Sequence, residues 1–275
     1  MRNFIKDCGV LIYMRRALAI FAVALAGFAA EPADQQIFQE FLGWYKSYTG
    51  SFAPPEVAKV YEASLKDTGV APPEAQRRIG VLQRLVSTMP REFAALHFDR
   101  IYGMPDPPFK AAASQFLVRM VDGLKPGKAL DVAMGQGRNS HFLATQGWDV
   151  TGYDISEGGL AQARKRADKA GLKIRTVTAS HQEFDYGKGQ WDLIVEAFAF
   201  TNFADEAYRK RVVESLKPGG LLVIEGFGDP GRRDLKSPLL EGFQDLRIVS
   251  YESRDEIADW GLHKMRLERL AAEKH

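Results

Sequence analysis

The sequence predicts an α/β fold: a doubly wound, mostly parallel sheet with an antiparallel C-terminal edge strand, preceded by a helical cap. Three observations predict it. Residues 129–156, ALDVAMGQGRNSHFLATQGWDVTGYDIS, compress an apolar strand, a glycine turn, a helix and a second strand ending on an acid. The chain from there to Phe227 repeats the alternation of strand and helix, which implies parallel pairing through right-handed crossovers. Two strand-like stretches then follow with little between them, so they pair antiparallel at a sheet edge.

The elements follow in order. Residues 1–30 read as a signal peptide or membrane anchor: Met14, Arg15 and Arg16 precede an apolar run, Ala17 to Ala30, that ends in small residues, with cleavage placed after Ala29. The run falls short of the ~20 residues that a spanning helix needs. It predicts a protein that is exported (periplasmic or extracellular) or held at a membrane by its leader, a cytoplasmic location being the alternative, and it leaves open whether Met1 or Met14 is the start. The leader also holds Cys8, the one cysteine of the chain, so beyond it no disulfide or thiolate metal site can form.

Residues 31–122 read as the helical cap. Ile37, Phe41, Trp44, Tyr45 and Tyr48 recur at helical spacing with Asp34 as N-cap. Further helices are expected over Pro55 to Asp67, around Ile79 to Val86, over Arg91 to Tyr102 and over Phe109 to Val121, parted by Gly and Pro stretches. Residues 123–275 read as the sheet domain. Its strands are expected at Ala129–Ala133, Trp148–Tyr153, Lys173–Thr178, Trp191–Glu196 and Leu221–Phe227, with helices at Arg138–Gln146, Glu157–Ala170 and Asp205–Leu216. The closing strands, Leu246–Tyr251 and Leu262–Ala271, leave room for a short helix over Arg254–Gly261.

Composition limits the function classes. Hydrophobic residues at 45% and aromatic ones at 11% supply a core and exclude global disorder. Of 37 basic and 35 acidic residues, four and one lie in residues 1–30, leaving 33 against 34, so bulk charge gives a nucleic-acid partner no support. The five histidines never fall at metal-ligand spacing with carboxylates, so no metal is expected.

The chemistry concentrates at the glycine turn. Gly135 and Gly137 let the chain turn sharply and let a ligand approach the backbone without meeting a Cβ. The third glycine of a dinucleotide fingerprint is replaced by Ser140, which counts against a nicotinamide-dependent oxidoreductase. Asp154, 23 residues beyond Asp131 at the end of the next strand, can accept both hydroxyls of a ribose. Together these favour an adenosine without a pyrophosphate.

With these motifs, GQGRNS and YDIS, and with LKPGG at Leu216–Gly220 before an apolar strand, residues 125–226 resemble a class I S-adenosylmethionine-dependent methyltransferase, most similar to the small-molecule, tellurite-resistance-type branch with its Rossmann-like sheet. The resemblance implies S-adenosyl-L-methionine as cofactor and a small-molecule methyl acceptor. It implies that Asp131 and the backbone at Ala133, Gly135 and Gly137 face the methionine part, with Arg138 and Asn139 opening the next helix. It further implies that Asp154 holds the ribose, that Ile155 packs on the adenine, that Ser180 and His181 border it, and that Glu196, Ala197 and Phe198 line the way to the acceptor. Ala133, where the family usually has glycine, and Ser180, where it usually has aspartate, depart from the pattern, and they motivate the alternative of a non-catalytic cofactor- or nucleotide-binding protein. Methyl transfer needs in-line alignment and exclusion of water, and a base only where the acceptor must lose a proton. His97, Tyr102 and His181 are the candidates for such a base. Phe198, Phe200 and Phe203 are expected in the core, and Arg232 and Arg233 sit in a loop where they could attract an anionic acceptor.

Overall fold

The protein is described here by a computed structural model, over residues 31–50, 54–88, 90–229 and 237–275; the leader and the loop with Arg232 and Arg233 lie outside the described residues. The chain divides into two compact units between Leu96 and His97. Residues 97–122 therefore cluster with the sheet.

The first unit holds α1 (Pro32–Ser47), α2 (Pro54–Asp67), α3 (Pro72–Val86) and the start of α4 (Arg91–Tyr102). Ile37, Phe38, Phe41, Leu42 and Tyr45 bury one face of α1, against Tyr61 of α2 and Leu82 of α3. The Phe41 ring meets Tyr61 edge-on at 5.2 Å, an arrangement that the ring quadrupole favours. The expected N-cap at Asp34 is corrected. Pro32 occupies the first helical position, where its missing N–H costs nothing, so Glu31 takes the cap position and Asp34 is left in the first turn. There it pairs with Arg84 at 2.5 Å. Among the described residues no helix is long and apolar enough to cross a membrane.

The second unit is a seven-stranded sheet with the order β3-β2-β1-β4-β5-β7-β6. Its elements are α5 (Gln115–Val121), β1 (Lys128–Val132), α6 (Arg138–Thr145), β2 (Asp149–Asp154), α7 (Glu157–Lys169), β3 (Ile174–Thr178), β4 (Trp191–Ala197), α8 (Glu206–Ser215), β5 (Leu216–Phe227), α9 (Pro238–Gly242), β6 (Arg247–Ile257) and β7 (Lys264–Glu273). Strands β1 to β5 pair in parallel and β7 joins β5 and β6 antiparallel. Leu130 and Ile194 pack on the face with Val212 of α8 and Leu239 of α9, whereas Ala129 and Leu193 face Phe116 of α5 and Leu143 of α6. Covered on both sides, the inner strands are largely apolar, with Asp131 and Glu196 the buried acids of β1 and β4. Strand order reverses between β1 and β4, and a ligand crevice opens beyond the carboxyl ends of strands at such a switch point.

Two expected helices are corrected. The helix expected from Phe109 begins only at Gln115, because Ser114 caps it by accepting the Leu117 N–H, and the small residues 111–114 offer no apolar stripe. Phe109 instead bridges Trp260, with the Lys110 N–H donating to the Asp259 carbonyl at 2.9 Å. The short helix expected over Arg254–Gly261 is absent: β6 runs on to Ile257. Cross-strand ion pairs hold this polar strand, Asp255 with Arg266 at 2.6 Å and Glu256 with Arg269 at 2.8 Å. The connection is left as a tight loop that carries Asp259 and Trp260.

Candidate functional site

The loop from Ala133 to Gly137 leaves β1 at the switch point, and its backbone is left-handed three times: φ is 51° at Ala133, 52° at Gly135 and 71° at Gly137. Glycine takes that conformation freely, whereas an L side chain costs about 1–2 kcal/mol there. Ala133 thus holds the conformation of the glycine it replaces. Space is the second demand. A methyl added at Gly135 would lie 2.3 Å from the Tyr102 hydroxyl, and one at Gly137 would lie 2.9 Å from the Ala163 methyl.

Asp154, 4% exposed, ties this loop to β2. One carboxylate oxygen accepts the Gly135 N–H at 2.8 Å and the other accepts the Ser156 N–H at 2.8 Å. Burial pushes its pKa up to about 6 against the lowering effect of these backbone donors. Each oxygen keeps a second lone pair, so the group can still accept from a diol. The Ala179 N–H donates to the Asp154 carbonyl at 3.0 Å, which sets the exit of β3, and with it Ser180, beside the same acid. Ile155, half-buried, follows it directly.

Asp131, 2% exposed, accepts both the N–H and the hydroxyl of Ser140, at 3.0 and 2.6 Å. The residue in place of a third glycine is therefore the partner that fixes the β1 carboxylate, and burial raises the pKa of Asp131 to about 6. Asn139 turns away from solvent to accept the Ser114 N–H at 3.0 Å. Arg138 reaches Asp259 at 2.8 Å and the Ala112 carbonyl at 3.0 Å, and Lys110 meets the other Asp259 oxygen at 2.9 Å.

Asp131 and the glycine loop open onto a recess lined also by Arg138, Asn139, Ala197 and Phe198, and by Tyr102, Phe109, Lys110, Asp259 and Trp260; Asp154, Ile155 and Ser180 do not line it. Its enclosed space is about 40 Å³. That holds about three water molecules at ~10–15 Å³ each. The residues suit an adenosine cofactor, with a left-handed glycine loop, a buried ribose acceptor and a cation nearby, provided the Tyr102 ring turns out of the recess.

The expected residues divide. Tyr102 lines the recess, and burial raises its pKa well above that of a free tyrosine. His97 is 4% exposed and does not line it; burial lowers its pKa to about 4, so the ring is neutral. His181 and Glu196 belong to a buried chain on the other face of the sheet. His181 Nδ1 meets the Tyr153 hydroxyl at 2.7 Å, Tyr153 bonds Tyr186, and the Tyr208 hydroxyl donates to Glu196 at 2.7 Å. Glu196, 2% exposed, has a pKa raised to about 7 by burial. Strand alternation explains the placement, since Glu196 points with Ile194 to the α8 side while Ala197 faces the crevice. Phe203 packs on Phe243 and Phe198 is buried, both as core residues, though Phe198 also lines the recess; Phe200 stands 5.9 Å from Trp260.

Sequence reasoning missed Phe109, Lys110, Asp259 and Trp260. Asp99 accepts the Ser156 hydroxyl and the Gly158 N–H, at 2.6 and 2.8 Å, and so caps the start of α7. The usable signal was Asp259–Trp260 between two strands, where a large aromatic in a tight connection is unusual.

A parallel sheet with a glycine loop at its switch point and an acid at the end of the next strand defines a class of adenosine-cofactor domains. Residues 129–220 match the family model described as a methyltransferase domain. The chain is 36% identical over 110 residues to the demethylmenaquinone methyltransferase of Thermus thermophilus, covering 38% of this chain and 49% of that protein. It is 35% identical over 81 residues to the probable S-adenosyl-L-methionine-dependent methyltransferase TehB of Haemophilus influenzae, covering 28% of this chain and 27% of the relative. The crystal structure of Haemophilus influenzae TehB shares the fold, with a TM-score of 0.52 at 23% identity over 60% of this chain and 64% of that one. The chain thus spans about half or less of the curated relatives it matches. Residues 129–220 are thus similar to S-adenosylmethionine-dependent methyltransferase domains.

Proposed function

We propose that the protein transfers a methyl group from S-adenosylmethionine to a small-molecule nucleophile by in-line displacement. The observation that carries this reading is the join of Gly135 and Asp154, which puts a ribose acceptor against a glycine-turned loop. When bound, the sulfonium cofactor supplies a methyl group already activated for displacement. The chain's own residues do the rest. Asp154 accepts the ribose hydroxyls, the backbone at Ala133, Gly135 and Gly137 leaves room for the methionine part, and Arg138 offers a cation to its carboxylate. Ile155 and Ser180 border the adenine. Phe198 and Trp260 keep water from the reacting atoms, which together with alignment is where most of the rate must come from. His97, His181 and Glu196 stand outside the recess, and burial keeps the Tyr102 hydroxyl protonated, so the acceptor's proton leaves to solvent. The demethylmenaquinone methyltransferase named above supports a small acceptor by its name alone.

Calorimetry with S-adenosylhomocysteine tests the reading. Binding is expected, and its absence for both this compound and S-adenosylmethionine would remove the proposal. The leader of residues 1–30 leads us to propose export or membrane anchoring as well; N-terminal sequencing of the fractionated protein tests that, and an intact N-terminus in the cytoplasm would refute it.

A further inference from the structure

We infer that the acceptor is a planar aromatic molecule, and that Trp260 of the β6–β7 connection is a residue that selects it. The inference rests on the methyltransferase reading and deepens it. Six rings form one continuous wall at the carboxyl end of the sheet. Phe109 and Trp260 stack at 4.8 Å with 14° between their planes. Phe200 and Phe98 meet Trp260 edge-on, at 5.9 and 6.3 Å. Phe227 joins Phe198 and Phe200 at 5.0 and 5.9 Å. Three of these rings, Phe109, Phe198 and Trp260, line the recess beside Asp131 and the glycine loop.

Ordinary core packing does not account for the wall. Phe198 and Phe200 hold φ at 57° and 55°, a left-handed backbone that costs a bulky side chain dearly and persists at ligand sites where it aims a group. Phe109 and Trp260 are only half-buried and come from segments far apart in the chain, joined by an isolated bridge and by hydrogen bonds from Lys110 and Gly261. A stack flanked by edge-on rings presents both ring faces and ring edges, so a flat conjugated guest finds complementary quadrupoles that a saturated guest of equal size does not. The Arg138 guanidinium lies 5.9 Å from the Phe198 ring centroid, at the edge of the wall that faces the cofactor's side of the recess.

The test uses the full chain loaded with S-adenosylhomocysteine and two probes of one carbon skeleton, naphthol and its saturated counterpart decalol, with binding read by calorimetry. Naphthol is expected to bind about tenfold more tightly than decalol. Trp260→Leu is expected to remove that preference and Trp260→Phe to keep it, each variant being saturated with S-adenosylhomocysteine before the probes are added. Equal binding of the two probes, or a preference that survives Trp260→Leu, overturns the inference and leaves the methyl-donor reading intact. Failure of the unaltered chain to bind S-adenosylhomocysteine removes that reading and this inference with it.

Discussion

The Asp154 carboxylate accepts the Gly135 N–H at 2.8 Å, so the acid that ends β2 and the loop that leaves β1 are held as one unit. Asp154→Ala should therefore damage cofactor binding twice, by removing the ribose acceptor and by releasing the loop. Hydrogen bonds to a charged group are each worth about 1.5–3 kcal/mol, so affinity for S-adenosylhomocysteine should fall by about a hundredfold. Calorimetry decides it: an unchanged affinity would mean that the ribose lies elsewhere.

The same carboxyl sets a pH dependence. A protonated acid accepts a hydrogen bond less well, and the Asp154 pKa is raised to about 6. Affinity for S-adenosylhomocysteine is expected to be flat above pH 7 and to weaken as pH falls through 6. Asp154→Asn should bind weakly at every pH and should lose that inflection; a titration of affinity against pH in both proteins checks it.

Ala133, with φ at 51°, carries strain that glycine would relieve. Ala133→Gly is expected to stabilise the fold by about 1 kcal/mol, less the entropy that glycine restores to the unfolded chain. Urea denaturation reads the change. A loss of stability would show that the alanine methyl makes contacts worth more than the strain.

Glu196 is buried beside Tyr208 and has a pKa raised to about 7, above the ordinary 4.5. Between those values the folded chain holds a proton that the unfolded chain has released, so this group makes stability fall as pH rises from 4.5 to 7. Glu196→Gln keeps an acceptor for the Tyr208 hydroxyl and removes the charge. It should stabilise the protein by about 1–3 kcal/mol at pH 8 and by little near pH 5. Equal effects at the two values would show that Glu196 is not the titrating group.

The sheet was legible because its residues answer to a short-range rule: buried parallel strands are apolar and helices alternate with them, so β1 to β5 stand within a few residues of expectation, apart from the earlier start of β5. The turn at Gly135 and Gly137, and the places of Asp131 in β1 and Asp154 at the end of β2, were legible for a related reason, since a sharp turn from strand to helix constrains residue type. Glu196 was not, because one step along a strand exchanges the crevice for the opposite face, and β4 is apolar on both. The extension of β6 was hidden in polar residues, Glu252, Asp255 and Glu256, whose partners lie across the hairpin on β7. Trp260 and Phe109 are joined by long-range contacts that no local pattern records.

Tyr102 closes the recess, and the closure has a lock. Its carbonyl accepts from Gln162 Nε2 at 2.7 Å, while Asp99, one turn earlier, holds the Ser156 hydroxyl and the Gly158 N–H. The end of α4 is thereby pinned to the first turns of α7, with the Tyr102 ring between Gly135 and Gly159. An adenosine enters only when that ring moves, so the pin should set the rate of entry. Tyr102→Ala is expected to speed association of S-adenosylhomocysteine, and Asp99→Ala to do the same at a cost of about 1–3 kcal/mol in stability for the lost charged hydrogen bonds. Stopped-flow fluorescence measures the association rate and urea denaturation the stability. If both variants associate at the rate of the unaltered protein, the cofactor reaches Asp154 by a path that Tyr102 does not block.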